Sequence, residues 1–214
     1  MPAVNSLREL LVEELRDIYD AEKRLTKALP KISKASSHDE LKSAIDAHLE
    51  ETREHVTRLE QAFEALDTPA RAKTCAAMKG LIEEGDEHAG EDYADDGLRD
   101  AAIIGSAQRV EHYEIAAYGT AIAHAKLLEL DDVVALLEST LEEEKAADSK
   151  LTEIAESVVN LDASAAGADD EASDETEEND ETGEEPGRRP AMRMAMTGGK
   201  STARPKSGTK ARAR

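Results

Sequence analysis

Glutamates stand in this sequence where helical spacing asks for leucines. Setting the residues at about 100° apiece puts Glu22 among Ile18, Leu25 and Leu29, inside an apolar stripe, with Glu14 on that stripe's other edge. Glu114 falls in the middle of a stripe formed by Ala107, Val110, Tyr118, Ala121 and Ala125, and Glu111 lies beside it. Glu144 sits near the centre of a stripe of Leu137, Thr140, Ala147 and Leu151, with Asp148 alongside. On a fourth segment His48, Glu51 and His55 flank one edge of Ile45, Thr52, Val56 and Leu59, whereas Glu50 and Glu54 point away. A buried, unpaired carboxylate is costly and is tolerated when paired or bound to a metal. Acids from four helices aimed at one interior repel one another, and one or two divalent cations offset that repulsion most simply. Oxygen-rich ligation with one or two imidazoles suits iron or manganese better than structural zinc.

Five helical segments must position these groups, read from apolar residues spaced three and four apart. The first opens on a Ser6-x-x-Glu9 capping box, carries Leu7, Leu11, Ile18 and Leu25, and is expected to stop near Pro30. The second opens on a similar box at Ser37 and Glu40 and ends before Thr68-Pro69. A shorter third, roughly residues 72–91, is interrupted by Gly80, Gly85 and Gly90. The fourth runs from about Leu98 to Leu128, and the fifth from a cap at Asp131 or Asp132 to about Asn160. Long helices with short links read as an antiparallel bundle, and the one long connection, holding the third helix, gives the ferritin-like arrangement. An extended coiled coil needs unbroken heptads, which the acidic positions interrupt. The expected fold is therefore all-α: a ferritin-like antiparallel four-helix bundle over residues 1–160, with an additional short helix in the crossover.

Composition agrees. Aromatic residues make up 2% of the chain, with no Trp and one Phe, Phe63, which argues against strands. A net charge of −21 repels nucleic acid and anionic membranes unless a local basic segment intervenes. One cysteine, Cys75, precludes an internal disulfide and is read as a small apolar contact. The absence of a basic segment followed by an apolar core near Met1, and of any long apolar run, leads to the expectation of a cytoplasmic protein with no membrane partner.

Residues 161–214 differ from the bundle. Segment 162–185 holds twelve acidic and no basic residues, and 188–214 holds nine basic and no acidic ones. With few large apolar side chains beyond Met192, Met194 and Met196, this stretch is expected to be a disordered, charge-segregated tail. Its basic part could lie along nucleic-acid phosphates, or associate with the acidic part upstream. The run Gly198-Gly199-Lys200-Ser201 lacks the first glycine of a phosphate-binding loop, Met194 standing in its place.

Four blocks carry a family resemblance: residues 15–22, Leu-Arg-Asp-Ile-Tyr-Asp-Ala-Glu; residues 48–52, His-Leu-Glu-Glu-Thr; residues 109–114, Arg-Val-Glu-His-Tyr-Glu; and residues 142–148, Glu-Glu-Glu-Lys-Ala-Ala-Asp. Over about residues 5–158 the chain resembles the YciE/YciF family of stress-associated ferritin-like proteins. That resemblance implies a rubrerythrin-like bundle, often a homodimer, with a di-iron site and no assigned reaction; the leading expectation for such a site of two iron ions is reaction with oxygen or peroxide, or sequestration of iron. It implies Glu22, Glu51, Glu111, Glu114 and Glu144 as metal ligands. The usual Glu-x-x-His of the second helix is absent, since Glu51 leads to Glu54. His55, one residue later, is the proposed substitute, with His48 the other imidazole in reach. Glu143 remains an alternative to Glu144 after a small helix rotation. Tyr118 either supports a ligand by hydrogen bonding or is simply core. His38, His88, His112 and His124 are expected to be solvated. The competing function is a non-catalytic bundle whose basic tail contacts nucleic acid or a partner.

Overall fold

The computed structural model of the chain describes residues 4–165, and every regular element among them is helical. Helix α1 spans Leu7–Ala35, α2 Asp39–Ala65, α3 Ala76–Gly90, α4 Asp96–Leu127 and α5 Asp131–Ile154. A π-helical turn, Ala155–Val159, follows α5, and helical backbone continues to residue 165. The acidic and basic tail segments lie, apart from residues 162–165, outside the described residues. No helix described is long and apolar enough to cross a membrane.

Each long helix packs against two others, in the cyclic order α1, α2, α5, α4. One apolar cluster joins Leu11 and Leu15 of α1, Leu59 and Phe63 of α2, Tyr118 and Ala125 of α4, and Val133 and Leu137 of α5. A second joins Leu41 and Ile45 of α2, Ile103 and Ile104 of α4, and Leu151 and Ile154 of α5, with Leu29 and Ile32 of α1 against it. Neighbours are thus antiparallel and diagonal pairs parallel. Because α2 and α4 run the same way, the chain between them must travel back along the bundle, and α3 does so while packing on α1 and α4. This is the ferritin-like connection expected from the long crossover. The carboxylates lie between the two apolar clusters.

The ends of the helices depart from expectation in instructive ways. Ser6 Oγ accepts from Glu9 N at 3.1 Å as predicted, but Glu9 Oε2 accepts from Asn5 N, one residue outside the expected box. Pro30 does not stop α1; it lies inside the helix. Proline forfeits one backbone rung there, and burial of Leu29, Ile32 and Ala35 against the second cluster holds the last turns in place. Neither Ser37 nor Asp131 or Asp132 caps its helix. Helix α2 is capped at His38 and α5 at Leu130, neither through its side chain. The buried carboxylate of Asp100 on α4 serves α2 instead, accepting from Ser37 N at 2.9 Å and His38 N at 2.7 Å. Cys75 is more than an apolar contact: its Sγ accepts from Met78 N at the start of α3 and lies 3.0 Å from Tyr113 Oη. Tyr113 donates to Asp17 Oδ2 at 2.7 Å, so this group ties α3 to α1 and α4.

Asp100→Ala is expected to destabilise the chain by about 2 kcal/mol, since it strips a buried acceptor from two part-buried amides at the start of α2. Ser37→Ala and Asp131→Ala should each cost less than about 0.5 kcal/mol. Denaturant unfolding of the three variants measures the difference.

Candidate metal centre

Four helices deliver six donor residues to one place. Glu22 comes from α1, His48 and His55 from α2, Glu111 and Glu114 from α4, and Glu144 from α5, and all six are buried. They form two donor groups: His48, Glu111, Glu114 and Glu144; and Glu22, His55 and Glu144. Within each group, one donor atom per residue lies within 4.8 Å of all the others, and Glu144 belongs to both. His48 Nε2 is 3.4 Å from Glu111 Oε1 and 3.8 Å from Glu144 Oε2. His55 Nδ1 is 3.0 Å from Glu144 Oε1 and 3.5 Å from Glu22 Oε1.

Each imidazole has a carboxylate behind it. His55 Nε2 meets Glu143 Oε2 at 2.8 Å, and Arg58 holds Glu143 from the far side, Nη2 donating to Oε1 at 2.8 Å. His48 Nδ1 faces Glu51 Oε2 at 3.5 Å. The hydrogen bond to Glu143 fixes the His55 ring and directs its other nitrogen inward, whereas the Glu51 contact with His48 is an ion-pair distance without a hydrogen bond. Tyr118 donates to Glu22 Oε1 at 2.5 Å, which leaves Oε2 free to point elsewhere. Among the described residues, thirteen buried side-chain nitrogen and oxygen atoms lack a hydrogen-bond partner, and nine of them belong to these six residues. Both oxygens of Glu114 and both of Glu144 are among the nine. Buried polar atoms ordinarily find partners, so their concentration in one spot marks a site shaped for something other than protein hydrogen bonds.

The donor set fits iron or manganese. Four carboxylates and two imidazoles match, in kind and number, the inventory of carboxylate-bridged bundle sites, in which two helices give one Glu each and two give Glu-x-x-His. The distribution differs, since both histidines here come from α2, seven residues apart. Seven residues make nearly two turns, returning the side chain to within about 20° of its starting direction.

Residues 6–164 match the family model described as a domain of unknown function, DUF892. Protein YciF of Escherichia coli (strain K12) is 44% identical over 158 residues, which cover 73% of this chain and 95% of that protein. The chain belongs to this family. The crystal structure of the E. coli stress protein YciF superposes with a TM-score of 0.70 at 44% identity, covering 73% of this chain and 99% of that one. The structure of YcfI from Rhodopseudomonas palustris gives 0.68 at 47% identity, covering 71% and 96%.

Of the residues that the YciF-family resemblance pointed to, Glu22, Glu111, Glu114 and Glu144 converge, and so does His55. Glu51 joins neither donor group. Its side chain is 46% exposed and its recorded partner is His48, because it lies about 40–60° to one side of the His48–His55 face. His48, an edge residue by helical spacing, enters the cluster. Glu143 does not replace Glu144; it turns outward to Arg58 and backs His55. Tyr118 takes the supporting role, bonded to Glu22. His124 is not solvated as expected but packs its Nδ1 3.1 Å from Glu14 Oε2. The seven-residue spacing of His48 and His55 was the signal available for the second imidazole. Nothing local to Glu143 or Arg58 announces their pairing, which joins α5 to α2.

Burial sets the electrostatics. It pushes Glu111 and Glu114 well above the ordinary glutamate value, with the neighbouring glutamates adding to the effect. It raises Glu22 too, against the pull of His55. For the histidines, burial favours the neutral ring but the carboxylates outweigh it, Glu111 foremost at His48 and Glu144 at His55, lifting them to about 9 and about 10. Glu144 alone of the four acids falls below its usual value; burial opposes this, and His55, 3.0 Å from Oε1, together with the His48 charge prevails. Protons thus do in the metal-free protein what cations would do in the loaded one.

These shifts fix a pH dependence. Glu22, Glu111 and Glu114 have folded values above 4.5, so their contribution is whole below 4.5 and shrinks as pH rises past it. The histidine contributions are whole below 6.5 and disappear as pH climbs through about 9 and about 10. Glu143 and Glu144 are lowered and act oppositely, their support lost as pH falls below 4.5 toward their folded values. The metal-free protein should therefore melt lower at about pH 8 than at about pH 5. Glu114→Gln should flatten that slope and raise stability at the higher pH by roughly 1–3 kcal/mol. Thermal melts in chelator across this range measure both, and a wild-type Tm that rises with pH contradicts the assignment.

Proposed function

We propose that the protein is a stress-associated, ferritin-like bundle that holds two iron ions, one for each donor group, and cycles them with oxygen or peroxide. The single observation that supports this most is the set of nine buried donor atoms without a hydrogen bond, gathered about the shared Glu144. Iron in such a carboxylate site supplies one-electron redox chemistry toward oxygen or hydrogen peroxide. Manganese accepts the same donors.

The chain's own residues have definable tasks in this reading. Glu144 lends one oxygen to each group, so a single side chain registers both. The Arg58–Glu143 pair holds the His55 ring with Nδ1 inward, and Tyr118 anchors Glu22 through one oxygen only. The apolar layers on either side keep bulk water out, so charges inside act on one another with little screening. Loading must displace the protons that the cluster retains when empty, and affinity therefore rises with pH, opposite to the stability of the metal-free chain. The E. coli relative described as a stress protein agrees with a role under oxidative or related stress.

Anaerobic titration of the full-length, chelator-stripped protein with ferrous iron tests this by stoichiometry. Two ions per chain are expected, one for each donor group. Glu144→Ala should abolish both sites, whereas Glu22→Ala should remove one and leave the other. No binding by wild type, or unchanged stoichiometry in Glu144→Ala, refutes the proposal.

A further inference from the structure

Among the described residues, two cavities that touch the donor cluster differ in chemistry. A cavity of about 50 Å³ touches Glu111 and is otherwise walled mainly by apolar side chains, Leu25, Ile32, Ile82 and Ile103 among them. It would strip a hydrated ion with almost nothing to replace the water. The other is a groove of about 530 Å³ between α2, α4 and α5. Alanines at positions 44, 47, 107, 146 and 147 keep it wide, His48 and Glu111 line its inner end, and Glu40, Glu51 and Lys150 stand along it, the Lys150 ammonium being paired with Glu153 at 3.0 Å. His48 and Glu111 are both more than nine-tenths buried, yet both His48 nitrogens and Glu111 Oε2 lack hydrogen-bond partners. Buried donors without hydrogen bonds at the inner end, and a half-exposed carboxylate 3.5 Å from His48 Nδ1, make a graded path from water to the interior.

We infer that this groove is the way in for divalent metal cations, and that Glu51 is the carboxylate that hands them to His48. The inference rests on the metal-centre reading above. It accounts for the position of Glu51, which carries an acidic side chain beside the cluster without entering either donor group. A half-exposed carboxylate can take an ion that still holds most of its water, and His48 and Glu111 then replace that water in steps. Acidic groups at a mouth also raise the local concentration of cations. The apolar cavity on the other side offers no such sequence of donors.

The test is the kinetics of loading, with Co²⁺ alone as the probe and its visible absorption as the readout, on the full-length chelator-stripped chain. Ala47 and Ala146 are exposed, so Ala47→Trp and Ala146→Trp can obstruct the groove without disturbing the core. Each should slow Co²⁺ association by roughly tenfold or more. Release into excess chelator should slow by the same factor, because an obstacle on the path leaves equilibrium affinity unchanged. Glu51→Gln should likewise slow both directions together, and Glu51→Asp should restore part of the rate. Ala116→Trp, in the separate groove of about 410 Å³ beside Tyr113 and Asp17, should load at the wild-type rate. Obstructed variants that load as fast as wild type would overturn the inference while leaving the metal site standing. So would a Glu51→Gln variant whose affinity falls while its association rate holds, which would make Glu51 a positioning residue for His48. Absence of Co²⁺ binding by wild type would instead remove the metal-centre reading and this one with it.

Discussion

Burying like charge is the constraint on which the rest of this molecule depends. Four carboxylates and two imidazoles occupy the dry middle of the bundle, where each ionised group would be far costlier than in water. Only charge of the opposite sign, as protons or as cations, makes the arrangement tolerable. The apolar clusters at the two ends must then supply the stability that the central layer withholds. Residues around the layer are engaged in fixing its geometry: Tyr118 on Glu22, Glu143 on His55, Arg58 on Glu143.

Topology follows from the same requirement. A layer fed by four helices needs all four to pass the same height, and parallel diagonals place α1 opposite α5 and α2 opposite α4. That arrangement obliges the chain to return along the bundle between α2 and α4. Helix α3 makes the return, held at its start by Cys75, Tyr113 and Asp17. Asp100 secures the other end by capping α2 from α4. Long-range polar contacts of this kind join elements that local capping residues would otherwise leave independent.

Relative to the usual carboxylate-bridged bundle pattern, the inventory of donors is conserved here while their addresses change. One helix carries both imidazoles at a spacing of seven, and α4 carries two glutamates at a spacing of three. Each spacing returns a side chain to nearly the same face of its helix. Either solution delivers the same donor chemistry to the interior. A motif search keyed to Glu-x-x-His would miss it; a count of polar groups within the apolar stripes would not.

That count is what the sequence by itself determined. Helical periodicity fixes each side chain's direction relative to its own helix, so Glu22, Glu111, Glu114 and Glu144 were legible as inward acids, as were the number of helices and the long crossover. Periodicity does not fix how far each helix is rolled against its neighbours, and that roll decides between His48 and Glu51, about 60° apart, and between Glu144 and Glu143, about 100° apart. Those choices were made by packing in the tertiary structure, where α2 turns both histidines inward and leaves Glu51 at the rim. The continuation of α1 through Pro30 and the capping of α2 by Asp100 were decided there too, because burial and contacts between distant residues outweigh local helix signals of a kcal/mol or so.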